Sequence, residues 1–349
     1  MSKSNSELGN TKQWITGEGV AYLGAGWAIA ALLFFLIYGA GAGRPLWYTI
    51  GTYIFETIAF LGAAFLCFRN VASSFIASGR MVWFSIGLGN LCYGIGDLIF
   101  GFWEIYWGLN PDVSIADFFF LLFYIFVSWG IILAVLPRRI NLSRWQWLTI
   151  LSIAVVGVAI AVLLTFTSPA NAQAPVSPVP TPPRPTLVTP NSPRPTGATP
   201  QVSPTNRPAA SPSPTPVATP SPVDSPAPAG IAQPPALIVE LDQQLEPFDN
   251  LVSFIYVVFD VFLLVLATML LLSFWGGRFS LSWQMIGGAA FCMYIADIWF
   301  KYADDRIPNY QSGSLPEVFW VFSGVLFGIG AALEYDTSAR MRRGGRKRS

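Results

Sequence analysis

Four acidic residues lie inside apolar stretches of this chain: Glu56, Asp97, Asp260 and Asp297. An ionisable side chain within a membrane span costs about 2.5–3.5 kcal/mol on insertion scales, and by default it faces the bundle interior. Glu56 and Asp97 fall about ten residues from one end of their stretches, or about 15 Å deep at the helical rise. Asp260 has a similar depth. Asp297 matches it only if its helix runs past Lys301. Antiparallel neighbouring helices could bring Glu56 to Asp97 and Asp260 to Asp297. Two close carboxylates in a low dielectric do not both stay ionised, so each pair must share a proton, bind a cation or find donors. Asn90, Asp97 and Glu104 are spaced by seven and form one polar stripe. Tyr53, Tyr93, Tyr256 and Tyr294 are nearby candidate donors. Two readings stay open. One is a proton, cation or polar-ligand site built from Glu56, Asp97, Asp260, Asp297, Asn90, Tyr93 and Tyr294. The other is a set of polar clasps between helices, each bond averaging only about 0.6 kcal/mol.

Shallower acids have a structural reading. Ser114-Ile115-Ala116-Asp117 and Ser314-Leu315-Pro316-Glu317 both have the form of a capping box. In it Ser114 and Ser314 cap a helix, while Asp117 and Glu317 close onto the cap backbone and favour the helix dipole. Asp297 and Lys301 share a helix face, but Lys301 at a span end is expected to snorkel to water rather than carry a retinal Schiff base. The chain has no histidine, which removes imidazole triads and histidine metal sites. Its three cysteines, Cys67, Cys92 and Cys292, lack CxxC spacing and read as buried thiols. No phosphate loop or Ser/Lys dyad is recognisable. The expectation is therefore no enzyme, no metal, no cofactor and no nucleic acid.

The elements that must position these acids are membrane spans. Of 349 residues, 53% are hydrophobic and 11% charged, against about a quarter charged in soluble domains. Eight stretches approach the roughly 20 residues a bilayer requires: 20–41, 46–68, 82–107, 115–136, 146–166, 250–275, 283–301 and 316–334. Tryptophans such as Trp47, Trp107, Trp145 and Trp275 cluster near their ends. The first nineteen residues do not form a signal peptide. One set of alternate loops and both termini hold 14 of the 20 lysines and arginines, which predicts both termini in the cytoplasm. The basic tail, 337–349, reads as a topology signal able to touch anionic lipid.

Residues 169–236 are a different material, holding 22 of the 28 prolines among Ser, Thr, Ala and Val. Such a segment cannot build a core and is expected to be disordered, with polyproline II character. By the topology it is extracytoplasmic. It reads as a spacer toward the cell wall, a glycosylated stalk or a tolerated insertion. Ala170-Asn171-Ala172-Gln173-Ala174 has the pattern of a cleavage site.

A shift of 200 residues aligns Trp83–Leu133 with Trp283–Leu333, with eleven identities in 51 positions. They include Trp83, Ile86, Gly87, Asp97, Ser114 and Gly130. Phe55-Glu56 similarly resembles Phe259-Asp260. The fold expected is all-α: eight transmembrane helices as two parallel four-helix repeats, spans 1–4 and 5–8, related by a pseudo-two-fold along the membrane normal. The first repeat covers 20–136. The second begins with the loop and span 5 at 137–168, is interrupted by the linker, and continues over 237–336.

Gly96-Asp97-Leu98, then Ser114 to Tyr124 and Trp129-Gly130, resemble the multi-span N-terminal regions of some bacterial diguanylate cyclases and sensor kinases. The resemblance covers about 50 residues per copy and implies membrane-embedded sensing. About fifteen residues follow span 8, with no cyclase or kinase among them, and the second copy has Pro316-Glu317 for Ala116-Asp117. The leading expectation is thus a sensory or ligand-binding membrane module that acts through a separate output partner. The alternatives are a small transporter coupled to protons or cations through the carboxylates, and a scaffold whose working part is the spacer.

Overall fold

Prolines set the boundaries of the helices. Pro45, Pro235 and Pro316 each stand at a helix start, where a missing N–H and a fixed φ cost nothing, and none falls inside a long helix. The structure, a computed structural model, describes residues 16–38, 43–109, 113–136, 143–166, 232–274, 277, 279–307 and 310–346. Most of the 169–236 linker with its Ala170–Ala174 pattern, the first fifteen residues and the last three lie outside the described residues.

The described residues are helical, with no strand among them. The helices are α1 (Gly17–Tyr38), α2 (Leu46–Ala72), α3 (Arg80–Phe102), α4 (Ile115–Val135), α5 (Arg144–Phe166), α6 (Ala236–Leu245), α7 (Asp249–Ser273), α8 (Ser280–Arg306) and α9 (Val318–Arg346). A π-helical turn, Trp103–Trp107, extends α3 and ends at Gly108 in the left-handed region (φ 66°). Six helices are long and apolar enough to cross a membrane: α1, α2, α3 with its π turn, α4, most of α7, and α9 with the 3-10 turn (Leu315–Glu317) before it. This is the makeup of a multi-pass membrane protein. Large apolar side chains such as Leu33, Phe65, Phe118 and Phe254 stay 60–66% exposed on the outside, as lipid contact requires and water does not favour. Spans 5 and 7 of the sequence reading coincide with α5 and α8. The apolar part of α5 is the shorter Arg144–Ile160, and α8 carries Gln284, Asp297, Lys301 and Asp304 along its length.

Six helices close a ring in the order α2, α3, α4, α7, α8, α9 and back to α2. α1 leans on α9 from outside, and α5 leans on α7. One half of the ring interior is filled with apolar side chains. There Trp83 and Trp283, 200 residues apart and fully buried, stack with ring centroids 5.7 Å apart. Close helix approach depends on small residues, because lipid-immersed helices gain little from apolar burial. A Cβ on Gly130 would meet Ile86 Cγ1 at 2.6 Å, and one on Gly330 would meet Ile286 Cδ1 at 2.7 Å. Gly130→Leu and Gly330→Leu are each expected to cost about 1–3 kcal/mol by overpacking. Thermal unfolding in detergent checks this, with Gly26→Leu, which has open space, as the control.

Three elements differ from the sequence reading. α8 runs to Arg306, past the expected end at 301, so Asp297 lies two and a half turns inside the helix. α9 runs to Arg346 instead of ending at 334. Its extension is held by tertiary bonds: Ser78 Oγ donates to Glu334 Oε1 at 2.7 Å, and Ala77 N–H to Ser338 Oγ at 3.2 Å. α6 was not expected. It is a short helix with Leu237 71% exposed, formed just before α7.

Candidate functional site

Each helix of the ring presents one stripe of polar and aromatic residues to the other half of the interior. The spacings are helical: Thr52 and Glu56 on α2, Tyr93 and Asp97 on α3, Phe120 and Tyr124 on α4, Tyr256 and Asp260 on α7, and Tyr294, Asp297, Lys301 and Asp304 on α8. Glu317 and Trp320 complete the wall from the start of α9. Together they surround a cavity of about 410 Å³. All of these residues belong to the end of the bundle opposite the Trp83–Trp283 stack, so the cavity occupies one half of the ring and packed side chains fill the other.

The four span acids meet in two pairs. Glu56 on α2 and Asp97 on α3 line the cavity from one side, Asp260 on α7 and Asp297 on α8 from the other, and one tyrosine hydroxyl contacts both members of the second pair. Thr57 Oγ1 donates to Asp97 in the first pair. In the second, the Tyr124 hydroxyl touches Asp260 Oδ1 at 2.6 Å and also Asp297 Oδ2, while Trp320 Nε1 donates to Asp297 Oδ1 at 2.7 Å. Tyr124 has one hydroxyl proton and two carboxyl contacts. Both contacts are hydrogen bonds only if one carboxyl is protonated and donates back to the tyrosine oxygen.

Further out, Tyr53 donates to Glu104 on the π turn, and Ser312 N–H reaches the same carboxyl. Tyr256 donates to Asp117 Oδ1 at 2.8 Å. Both S-x-x-D/E segments close as capping boxes. Glu317, 1% exposed, accepts from Gly313 N–H at 2.6 Å and from Ser314 and Tyr310 as well. It is at once a cap and part of the cavity wall. Lys301 is not simply a snorkelling residue: it lines the cavity and its Nζ donates to Ser253 Oγ at 3.1 Å.

Of the residues singled out from sequence, Glu56, Asp97, Asp260, Asp297, Tyr93 and Tyr294 line the cavity. Asn90 does not. It lies two turns deeper on α3, fully buried, and its amide donates to Ile86 O within its own helix at 2.8 Å. Tyr124 and Trp320 were missed. Both sit in aromatic runs whose apolar pattern specifies no face, and only the rotation of α4 and α9 turns them inward. Glu104 had a usable signal, its alignment with Asp304. Among the described residues, no group of three His, Cys, Asp or Glu side chains is placed to hold a metal ion. No protein family, curated protein or solved structure matches this chain.

Proposed function

We propose that this chain is a membrane-embedded receptor module that binds a small ligand in the cavity between its two halves and acts through a separate partner. The observation that carries this reading is the cavity itself, with two carboxyls from each half in its wall. A volume of about 410 Å³ lies within the range of small-molecule sites. The full architecture is eight spans in two parallel four-helix units, α1–α4 and α5 with α7–α9, both termini cytoplasmic and the cavity toward the extracytoplasmic side. Three equivalences support the two units: the Trp83–Trp283 stack, the Gly130–Ile86 and Gly330–Ile286 contacts, and the two carboxyl pairs. Sensing is favoured because α9 is one continuous helix. It leaves the cavity wall at Trp320 and reaches the loop around Ser78 through Glu334 at the other end. The sequence resemblance to sensory membrane regions of diguanylate cyclases and sensor kinases agrees with this role.

A second reading, proton- or cation-coupled transport, is favoured by the paired carboxyls at equivalent places in the two units. One set of measurements tests both. The detergent-purified full chain is melted across pH and a cation series beside the Asp97→Asn/Asp297→Asn variant. A pH- or cation-dependent shift of the wild-type melting temperature that is absent in the variant is the expected result. Asparagine supplies its own N–H donors and should flatten the curve. Equal pH and cation dependence in the two proteins would sink the site. Proton flux into dye-loaded vesicles, lost in the variant, would replace the receptor reading with the transport one.

A further inference from the structure

We propose that the ligand of this cavity is a primary alkylammonium ion. The inference rests on reading the cavity as a ligand site. Its wall combines an excess of acid with aromatic faces. Glu56, Asp97, Asp260, Asp297 and Glu317 line it, with Asp249 and Asp304 nearer the helix ends, and Lys301 is the one basic side chain among these described wall residues. The wall therefore holds seven carboxyls against one ammonium. An anion would be repelled there, and a neutral ligand would leave the acids unused. Phe100, Phe120, Tyr124, Tyr256 and Trp320 supply aromatic surfaces to the same space, and a cation with an apolar body is attracted to such faces as well as to carboxylates. A bare metal ion lacks that apolar body.

Tyr93 narrows the class to an amine with N–H donors. It is 6% exposed, lines the cavity, and is held by stacking on Phe60 at 3.8 Å between centroids. Glu56 and Asp97 from one half and Asp297 and Tyr256 from the other line the same cavity. The hydroxyls of Tyr53, Tyr124, Tyr256 and Tyr294 all have protein partners. That of Tyr93 has none among the described residues. A buried hydroxyl left open beside two acidic pairs can accept from an ammonium N–H while the carboxylates accept the others. A quaternary ammonium could use the charge and the rings but not this oxygen.

The test is calorimetric titration of the full chain in detergent at neutral pH and fixed ionic strength, with four probes: n-butylammonium, tetramethylammonium, n-butanol and sodium. Saturable binding of n-butylammonium is expected, with n-butanol and sodium at least about tenfold weaker, as loss of a charge-assisted contact implies. Tyr93→Phe keeps the ring stack and should weaken n-butylammonium about tenfold while leaving tetramethylammonium unchanged. Asp97→Asn should weaken both cations. Equal binding of n-butanol and n-butylammonium would overturn the charge assignment but leave the cavity as a ligand site. An unchanged n-butylammonium affinity in a folded Tyr93→Phe protein would overturn the primary-amine assignment. Absence of binding by all four probes would overturn the proposal; if the melting curve also lacks pH dependence, the ligand-site reading fails with it.

Discussion

Gly324→Leu is expected to destabilise the protein by about 3 kcal/mol or more, the largest effect of any single change considered. Gly324 is where α9 crosses α2. A Cβ built there would lie 2.9 Å from the carbonyl carbon and Cβ of Ala59 and 3.0 Å from the Phe60 nitrogen. These are mostly backbone atoms, which no rotamer change can move aside. The two helices would have to separate, opening the α2–α9 contact that closes the ring. Even Gly324→Ala is expected to lower the melting temperature by several degrees. Gly62 on α2 is the control. It has open space around it, so Gly62→Ala should be neutral or stabilising by up to about 1 kcal/mol from helix propensity alone. Thermal melts of the three variants in one detergent settle the comparison, and a Gly324→Leu protein as stable as wild type would refute the close crossing.

Tyr124→Phe should have the second-largest effect. Tyr124 occupies in the first half the aligned position that Gly324 occupies in the second. Its ring is 2% exposed, and its hydroxyl joins Asp260 to Asp297. Removing that hydroxyl leaves one carboxyl of the pair short of a donor and the other short of an acceptor. A hydrogen bond to a charged or proton-sharing group contributes about 1.5–3 kcal/mol, and the orphaned groups add to the loss. A cost of about 2–3 kcal/mol is expected. Asp297→Asn supplies an N–H donor in place of the missing hydroxyl. In the Tyr124→Phe background it should restore part of the stability, and a double-mutant cycle measures that coupling. Tyr22→Phe, at a side chain 79% exposed, should change nothing. Strictly additive effects of Tyr124→Phe and Asp297→Asn would show that the three groups do not act as one network.

Much of this arrangement was legible in the chain. Apolar run length locates the long helices, because a membrane leaves backbone groups no partner except their own helix. The acids stand out because charge in such a run is costly, and the equal depths of Glu56 and Asp97 anticipate their meeting. The S-x-x-D/E segments announce their helix starts through purely local hydrogen bonding. The 200-residue alignment sets Trp83 against Trp283, and these two side chains stack in the ring.

Other features follow no local rule. The roles of Tyr124 and Trp320 depend on helix rotation, and in a segment such as Phe118–Tyr124 the apolar pattern surrounds the helix and specifies no face. The ends of α8 and α9 depend on contacts hundreds of residues away, such as Glu334 with Ser78. Asn90 shares its stripe with Asp97, yet it is fully buried, bonds to Ile86 O within its own helix and does not line the cavity. By itself the sequence determined a helical membrane chain, its candidate acids and their likeness across two halves, since composition and spacing carry those directly. Only the tertiary structure decided that the six-helix ring leaves an acidic, aromatic cavity at one end. That depends on which faces of separate helices meet, and meeting is a property of packing in three dimensions rather than of any one segment.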